Sequence, residues 1–363
     1  MAITTLWLTD FRCFGQAAFE PDPDGLTVLR GRNGAGKTSV LEAIGWLATQ
    51  RSIRGAQRPV LVRSGAERAV VRGEATMGER RMLIESEIPL AGAGRTQVNR
   101  HVVRRRAELA EALQITVFSP DDLHLVQDGP AGRRTYLDDV LVDRHARFET
   151  LVSEVERILR QRAAVLRQSG GRLNPDIAAT LDVWDGRLAE SGSQLAEARA
   201  ALAEELAPRA TAAYERLAGD PEPVSLVYRR SWSGELLDAL EGARPDDVRR
   251  QATSVGPHRD DLEIAIGTRP SRTHASQGEQ RSLALALRLA THELRRGSAP
   301  EPPVLLLDDV FSELDAGRSA ALVALLPPGQ VLLTTAVDPP AIVTPTRVVD
   351  VEAGTLLATA GES

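Results

Sequence analysis

The pattern of hydrophobic and polar positions divides the chain into a mixed α/β beginning, a helical middle and a mixed end. Residues 3–14 and 25–30 have strand character, and the apolar positions from Lys37 to about Thr49 recur at helical spacing. Three alternating segments bounded by turn residues follow, at residues 69–75, 81–88 and 97–102. They predict an antiparallel meander, so the first 120 residues predict a mixed α/β lobe.

The middle of the chain, residues 133–217, has a helical pattern. A heptad stripe is formed by Leu181, Leu188, Leu195 and Leu202. The stripe predicts a long helix that folds back on the helix before it. The pair could pack on a core or project as a coiled-coil arm, and packing is favoured because a helix of about 20 residues reaches only about 30 Å.

The last part of the chain returns to alternating strand and helix signals. Strands are predicted at residues 224–228, 262–266, 304–307, 330–335 and 347–351, and a helix at residues 279–296. The run from Val304 to Leu307 is wholly apolar, which is typical of a strand buried on both faces.

Composition narrows the class of protein. The chain has 363 residues, of which 42% are hydrophobic and 26% charged, as in ordinary soluble globular proteins. Cys13 is the single cysteine, so no internal disulfide can form and we expect a cytoplasmic location. The N-terminal residues lack the basic and apolar pattern of a signal peptide, and no apolar run approaches the length of a membrane span.

Charge adds one unusual observation. The net charge is −6, which leaves room for a local basic face. Of the 44 basic residues, 43 are arginines and one is Lys37. Ammonium and guanidinium groups are not interchangeable at tight sites, so the one retained lysine marks a position that arginine would serve poorly.

Lys37 stands in a phosphate-loop pattern between a predicted strand and a predicted helix. The loop and the residue after it are Gly31, Arg32, Asn33, Gly34, Ala35, Gly36, Lys37, Thr38 and Ser39. Glycines let backbone N–H groups surround phosphate oxygens at the helix N-terminus, the lysine reaches the terminal phosphates, and the Thr38 hydroxyl ligates Mg²⁺. The alternative, a glycine-rich turn before an ordinary helix, explains less of the pattern. We therefore predict a nucleotide site.

Two carboxylates follow the apolar strand at 304–307. Asp308 is placed to hold Mg²⁺, and Asp309 to orient or deprotonate the attacking water. Taken alone, the pair could be an acidic loop after a buried strand. Beside a phosphate loop, the pattern favours nucleotide hydrolysis with Lys37, Asp308 and Asp309 as the catalytic set.

A helix start carries the third motif, Ser276, Gln277, Gly278 and Glu279. Serine followed three residues later by glutamate is a capping box, which needs no further purpose. The same pattern, about 30 residues before an acidic strand, resembles the segment with which ABC-type ATPases bind the γ-phosphate across a dimer. The two interpretations are compatible.

Together these motifs closely resemble the RecF family of bacterial recombinational-repair ATPases, which is related to SMC-type ABC proteins. The resemblance is carried by residues 11–14, 31–38, 118–123, 133–138, 256–261, 276–281 and 308–315. It implies an α/β P-loop ABC-type ATPase head, two-lobed with mixed sheets and an inserted α-helical domain. The expected boundaries are residues 1–130 for the first head lobe with a β-subdomain, 131–220 for the helical insertion and 221–363 for the rest of the head.

The resemblance also implies a function. A RecF-like chain is expected to form a homodimer on ATP, with Asp315 at the dimer seam, to hydrolyse ATP slowly with Mg²⁺, and to bind duplex DNA at single-strand gaps. Its expected partners are RecR and RecO, with which it helps to load RecA. An ABC subunit that acts on a protein or membrane partner without DNA, and a purely structural SMC-like head, are the alternatives.

Several residues keep two interpretations. Arg12 could reach the nucleotide phosphates or lie on the surface after a strand, and His258 and Arg259 could be functional or structural. Candidate contacts to the DNA backbone, each equally compatible with a solvated face, are Arg51, Arg54, Arg58, Arg104, Arg105 and Arg106. Aromatic residues make up 4% of the chain, so we expect binding without base stacking or sequence preference. Asp309 stands where many ABC ATPases have glutamate, and Thr334 and Thr335 where many have a histidine that senses the γ-phosphate. The general base and this sensor are therefore not assigned.

Overall fold

The computed structural model describes residues 1–298, 301–336 and 341–358. Its strands in chain order are β1 (Ala2–Phe11), β2 (Phe14–Phe19), β3 (Leu26–Arg30), β4 (Arg68–Met77), β5 (Arg80–Pro89), β6 (Arg95–Val98), β7 (His101–Val102), β8 (Ile115–Phe118), β9 (Val224–Arg229), β10 (Asp261–Ile266), β11 (Arg269–Pro270), β12 (Val304–Asp308), β13 (Val331–Thr335), β14 (Arg347–Glu352) and β15 (Thr355–Ala358). Its α-helices are α1 (Lys37–Thr49), α2 (Arg58–Leu61), α3 (Arg106–Ala110), α4 (Leu123–Gln127), α5 (Pro130–Arg144), α6 (Ala146–Gln168), α7 (Pro175–Ala218), α8 (Leu236–Arg250), α9 (Ser271–His274), α10 (Gln277–Ser298) and α11 (Ala316–Leu325). No helix of the described residues is long and apolar enough to span a membrane.

The chain forms two compact units. The first contains Met1–Leu123, Ala213–Asp220 and Arg281–Ser363. The second contains His124–Ala212 and Pro221–Gln280.

The first unit is built around a six-stranded sheet in the order β15-β14-β3-β13-β12-β8. Strands β14, β3, β13, β12 and β8 are parallel, and β15 pairs antiparallel with β14. All five residues of β12 are buried, as its apolar run predicted. Because the strands are parallel, the carboxyl ends of β3, β12 and β13 meet at one edge of the sheet. The phosphate loop and the two carboxylates follow strands that end there.

The second sheet of this unit is antiparallel, in the order β2-β1-β4-β5-β6-β7. Its β4 to β7 portion confirms the predicted antiparallel meander. The predicted segment 97–102 is wrong as a single strand, because a turn at Asn99 and Arg100 divides it between β6 and β7. Helix α1, whose residues Val40 to Ala48 are buried, contributes to a core that also contains residues of both sheets, among them Leu6, Ile84 and Leu306. The phosphate-loop helix is therefore held by buried contacts along almost its whole length.

The predicted first strand, residues 3–14, is wrong in its extent. Strand β1 ends at Phe11 and β2 begins at Phe14, with which Phe11 pairs. Arg12 between them has a φ of 54°, in the left-handed region that side chains other than glycine and asparagine rarely adopt. Hydrophobic alternation does not detect this reversal, since Phe11 and Phe14 are both buried.

The second unit contains α5, α6, α8, most of α7 and a small antiparallel sheet in the order β11-β10-β9. All four leucines of the heptad stripe are buried. Leu181 packs with Val165 and Leu166 of α6 and with Val248 of α8. The stripe is thus a packing face, which agrees with the favoured alternative for the helical region.

Candidate nucleotide site

The phosphate loop lies between β3 and α1, where its glycines are sterically required. Gly34 and Gly36 have φ values of 83° and 116°. A β-carbon on Gly36 would lie 2.6 Å from the Cys13 sulfur, and one on Gly31 would overlap the carbonyl of Val351. Gly34 and Gly36 are therefore favoured by their backbone conformation, and Gly31 and Gly36 by the close approach of Val351 and Cys13. A loop of this kind presents backbone N–H groups to an anion at the helix N-terminus.

Lys37 is held against the loop that precedes it. Its Nζ donates to the carbonyl oxygens of Gly31 at 2.7 Å and Arg32 at 3.1 Å. Burial lowers the pKa of this ammonium, while the nearby Asp309 and Asp308 carboxylates oppose the shift. The amine is thus a desolvated cation beside two acids, at the end of the sheet where a triphosphate would sit.

Thr38, Asp308 and Thr334 form a compact polar contact at the ends of α1, β12 and β13. The hydroxyls of Thr38 and Thr334 donate to Oδ1 of Asp308 at 2.8 and 2.7 Å. Burial raises the pKa of the Asp308 carboxyl, although both hydroxyl bonds act in the opposite direction. Thr334, at the position considered for a phosphate sensor, is therefore bonded to Asp308.

Thr38 and Asp308 suit a magnesium ion, because hydroxyl and carboxylate oxygens are the hard ligands that it prefers. No group of three or more acidic, histidine or cysteine side chains suited to a metal occurs among the described residues. A metal here would complete its coordination with phosphate oxygens and water, as Mg²⁺ does at nucleotide sites.

Asp309 has an unusual backbone. Its φ is 49°, and its N–H donates to the hydroxyl and carbonyl oxygens of Thr334 at 3.0 and 3.2 Å. A left-handed aspartate is strained, and such strain clusters at functional sites. These two bonds hold the residue at the wall of the cavity described next.

An open cavity of about 770 Å³ surrounds these groups. It is lined by Arg12, Cys13, Asn33, Gly34, Gly36, Lys37, Thr38, Ser39, Arg54, Val60, Val62, Ser64, Ser119, Pro120, Asp121, Asp308 and Asp309. Its volume lies within the usual range for ligand pockets, and its lining combines three cations with three acids. The loop, the two carboxylates and Arg12, which the sequence singled out separately, thus meet in one place.

Three parts of this wall were not predicted from the sequence. Val60 and Val62 lie at the end of the segment after α1, and residues 119–121 follow β8 at the same sheet edge as β12. Arg54, predicted as a possible DNA contact, also lines the cavity and acts electrostatically on Asp308. Residues 118–123 are one of the segments that resemble RecF, but their residue types do not predict contact with a nucleotide.

Residues 2–338 match the RecF/RecN/SMC N terminal domain family. The DNA replication and repair protein RecF of Frankia alni is 44% identical, over 98% of this chain and 99% of the relative. The protein of the same name from Streptomyces avermitilis is 42% identical, over 93% of this chain and 94% of the relative. The chain belongs to the RecF family.

Solved structures of RecF share this fold. One described as the recombination mediator protein RecF-ATPrS in RecFOR pathway has a TM-score of 0.89 and 26% identity, covering 99% of this chain and 98% of its own. An SMC head from Pyrococcus furiosus, bound to the C-terminal domain of ScpA, has a TM-score of 0.57 at 16% identity, covers 99% of this chain and 96% of its own, and so shares the fold alone. The predicted head fold, with mixed sheets and a helical insertion, is confirmed.

The segment Ser276–Glu279, where the RecF-like signature was predicted, forms a capping box. The Ser276 N–H donates to Glu279 Oε2 at 2.6 Å, and the Glu279 N–H donates to the Ser276 hydroxyl at 3.3 Å. The bonds to Ser276 lower the pKa of the Glu279 carboxyl, and Arg269 adds to this effect. Both hydrogen bonds of the predicted capping box are therefore formed. Binding of this segment to a nucleotide held by a second copy of the chain stays a prediction.

Asp315, predicted at the dimer seam, begins α11. Its Oδ1 accepts from the Arg318 N–H at 2.8 Å, and its Oδ2 pairs with the Arg318 guanidinium at 3.0 Å. The carboxylate is largely exposed, so it caps the helix and still faces solvent.

The RecF-like motif at residues 256–261 is tied into the second unit by its own side chains. Asp260 accepts from the Tyr228 hydroxyl at 2.7 Å, and Asp261 forms a two-pronged ion pair with Arg133. His258 and Arg259 both bond to the carbonyl oxygen of Thr253. These contacts favour a structural interpretation of His258 and Arg259.

The remaining arginines proposed for DNA lie outside the cavity. Arg51, Arg104 and Arg105 are exposed. Arg58 lies 5.9 Å from the Trp46 ring, and Arg106 begins α3. Their contact with DNA stays a prediction.

Proposed function

We propose that this chain is an ATP-dependent DNA-binding protein of recombinational repair, working in the cytoplasm as RecF-family proteins are expected to do. The observation that carries the proposal is the cavity that joins the glycine loop, Lys37 and the acid pair at one sheet edge. Support also comes from relatives named DNA replication and repair protein RecF and from RecF structures described with ATP.

The cavity residues suggest how ATP would be bound. The loop N–H groups from Gly31 to Thr38 surround the phosphates, and Lys37 leaves its loop carbonyls to bond the terminal phosphates. Mg²⁺ held by Thr38 and Asp308 would neutralise phosphate charge there. Arg12 and Arg54 add two further cations within the same cavity.

Asp309 is the proposed base that orients the attacking water. It lines the cavity beside Lys37, whose pKa it influences. Its side chain is one methylene shorter than the glutamate that many ABC ATPases have at this position, and we expect hydrolysis to be slow. ATP would thus act mainly as a switch between two states of the protein.

The second state would be a homodimer. Ser276, Gln277, Gly278 and Glu279 lie at the start of α10, whose N–H groups and hydroxyl suit the γ-phosphate held by a second copy. Asp315 would lie at the seam between the copies. Support comes from the exposure of Ser276 and Gln277, since a segment that served only as a cap could equally be buried.

DNA would be recognised through its phosphates. The candidate arginines are exposed or partly exposed, and few aromatic side chains are available for stacking. We propose duplex DNA beside single-strand gaps as the substrate, with RecR and RecO as partners in loading RecA.

Gel-shift titration on gapped duplex DNA, with and without Mg-ATP and across a salt series, tests this function. We expect ATP to increase retention and the logarithm of the binding constant to fall linearly with the logarithm of salt concentration. Lys37→Ala is the matched control for the nucleotide, and Lys37→Arg tests whether a guanidinium can replace the ammonium. Both variants should lose the response to ATP. DNA retention that is absent, or equal without ATP, contradicts the proposal and favours a subunit that acts on another protein.

A further inference from the structure

The phosphate-loop helix contains a buried carboxylate that the proposed chemistry does not use. Glu42 lies in α1, four residues after Thr38, and its side chain has no exposed surface. A carboxylate in such a place is costly unless charged and polar groups compensate it. Its compensating partners come from two other segments of the first unit.

The first partner is Arg12. Its Nε and Nη2 donate to the two oxygens of Glu42 at 2.6 and 2.8 Å, a two-pronged geometry that fixes the plane of the guanidinium. Its Nη1 donates to the Val60 carbonyl at 3.1 Å, and its backbone N–H to the Leu61 carbonyl at 2.8 Å. These side-chain bonds use three of the five guanidinium N–H groups, which leaves one on each terminal nitrogen for another acceptor.

The second partner is Ser52, in the segment that follows α1. Its hydroxyl donates to Oε1 of Glu42 through a short hydrogen bond and accepts the N–H of Arg54 at 3.1 Å. The same carboxylate oxygen therefore anchors the backbone from which the Arg54 side chain reaches the cavity.

Both arginines that line the cavity thus depend on one buried acid. Arg12 is held by Glu42 directly, and Arg54 through Ser52. Arg12 also has strained backbone, with a φ of 54°, so its position needs outside support. Since Glu42 belongs to the helix that begins with Lys37 and Thr38, the two cations are fixed to the element that carries the phosphate loop.

We propose that Glu42 is a positioning residue for triphosphate binding, which aims Arg12 and Arg54 at the phosphates of ATP without touching the nucleotide. The inference rests on the proposed ATP site and adds residues to it. It also gives Arg12 one role out of the two that the sequence left open: the ion pair with Glu42 orients the guanidinium, and its two remaining N–H groups bind phosphate.

A double-mutant cycle tests the inference through the affinity for a fluorescent ATP analogue in the presence of Mg²⁺. Glu42→Gln and Arg12→Gln should each weaken binding by about tenfold, the effect of losing a charge-assisted hydrogen bond. The double variant should bind no more weakly than Arg12→Gln alone, because Glu42→Gln keeps an oxygen that accepts the Ser52 hydroxyl bond and so disturbs only the pairing with Arg12. Glu87→Gln, which breaks the exposed Arg68–Glu87 pair of the same unit, is the matched control and should bind as the unsubstituted chain does.

Ser52 provides a second, milder cycle that does not depend on the folding of the Glu42 variants. Ser52→Ala should weaken binding by about threefold to tenfold, and Ser52→Thr should restore it. The effect of Ser52→Ala should vanish in an Arg54→Gln background.

The outcomes distinguish a failure of the proposed ATP-binding function from a failure of the positioning role of Glu42. No analogue binding by the unsubstituted chain overturns the proposed function, and the positioning role with it. Normal binding by that chain, with Glu42→Gln and Ser52→Ala unchanged, overturns the positioning role alone. Losses that simply add in either double variant also overturn it, since a general structural defect would be additive.

Discussion

At the scale of single residues, the proposed metal site needs Asp308 to be ionised, whereas the stability of the folded chain favours its protonated form. Asp308 is 6% exposed, and burial raises the pKa of its carboxyl although Thr38 and Thr334 both donate to it. An acid whose pKa is raised on folding destabilises the folded chain when it is ionised. The folded chain without nucleotide therefore bears a cost that a bound cation would remove.

Asp308→Asn should raise the stability of the chain without nucleotide and abolish its hydrolysis of ATP. Asparagine keeps the oxygen that accepts both threonine bonds and removes the buried charge, so we expect a gain of about 1 kcal/mol, or roughly 1–2 °C in Tm. Thermal unfolding with and without Mg-ATP measures both effects, since the variant should also lose the part of the ATP stabilisation that requires Mg²⁺.

The pH dependence of the same variant checks the cause. Between the ordinary pKa of aspartate and the raised pKa of Asp308, the folded chain binds more protons, so this group adds stability as the pH falls. Asp308→Asn lacks that contribution. Asp22→Asn is the control with the opposite sign, because hydrogen bonds, first from Thr346, lower the pKa of Asp22. A Tm that falls in Asp308→Asn would contradict this account.

At the scale of residues, the sequence predicted the groups to which we assign chemical roles and missed the groups that hold them in place. Lys37, Thr38, Asp308 and Asp309 follow from motif spacing, and the structure brings them together. Glu42 looks like one polar position in a helix, and Arg54 like one arginine among many. Their roles arise from contacts between separate chain segments, which spacing along one segment does not encode.

At the scale of elements, the segment after β8 connects the cavity wall to α10. Ser119, Pro120 and Asp121 line the cavity, and Asp122 accepts the Ser119 N–H at 2.8 Å through Oδ2. Its Oδ1 pairs with Arg288 of α10 at 2.6 Å. A single buried carboxylate thus fixes the shape of the wall and ties it to a helix.

Asp122→Asn should destabilise the first unit and weaken ATP binding severalfold. The variant replaces the carboxylate that pairs with the partly buried Arg288 by a neutral amide, which should lower the free energy of unfolding by about 1–3 kcal/mol. Denaturant unfolding and analogue titration measure the two effects. Asp121→Asn is the matched control for stability, because that neighbour is exposed and should unfold as the unsubstituted chain does. Unchanged unfolding of Asp122→Asn would show that the ion pair does not support the wall.

Helix α1, strand β8 and helix α8 show which elements a sequence pattern can predict and which it cannot. Helix α1 begins and ends at the predicted residues, Lys37 and Thr49. Its apolar positions recur at helical spacing from the end of the loop to the last turn, so the pattern covers the whole helix. Strand β8 has only four residues, and α8 contains Pro245 and few apolar positions, so neither was predicted. Such elements are stabilised by the helices and strands that pack against them, so their own sequences show little hydrophobic periodicity.

At the scale of the whole molecule, one partly buried and one buried histidine should set its tolerance to acid. Burial lowers the pKa values of His258, in the second unit, and His292, in the first, to about 4. Both are neutral in the folded chain, while an unfolded histidine takes up a proton near its ordinary pKa. Stability should therefore fall as the pH drops from about 6.5 to about 4.

His292→Asn should flatten this fall. Each of the two histidines contributes at most about 1.4 kcal/mol per pH unit. Asparagine can replace the bond between His292 and the Thr116 hydroxyl without titrating. Unfolding in denaturant at several pH values gives the slope for each variant. His101→Asn, at an exposed position, should retain the slope of the unsubstituted chain. Equal slopes in all three proteins would mean that other groups cause the acid sensitivity.

Assembly on ATP is the largest-scale consequence of the proposed function. Ser276 caps α10 from an exposed position, so arginine there should leave the cavity of the same chain intact and obstruct a second copy. Loss of the cap costs about 1 kcal/mol, which the fold should tolerate. Ser276→Arg should therefore bind the ATP analogue normally and stay monomeric.

Sedimentation velocity with Mg-ATP at micromolar concentration distinguishes this from a loss of capping alone. Ser276→Ala removes the cap without adding bulk or charge, and Thr180→Arg adds the same charge at an exposed position of α7. We expect Thr180→Arg to dimerise like the unsubstituted chain, Ser276→Ala to dimerise more weakly and Ser276→Arg not at all. If Ser276→Arg sediments as a dimer, the start of α10 is only a helix cap, and the second copy, if it binds at all, must contact the nucleotide elsewhere.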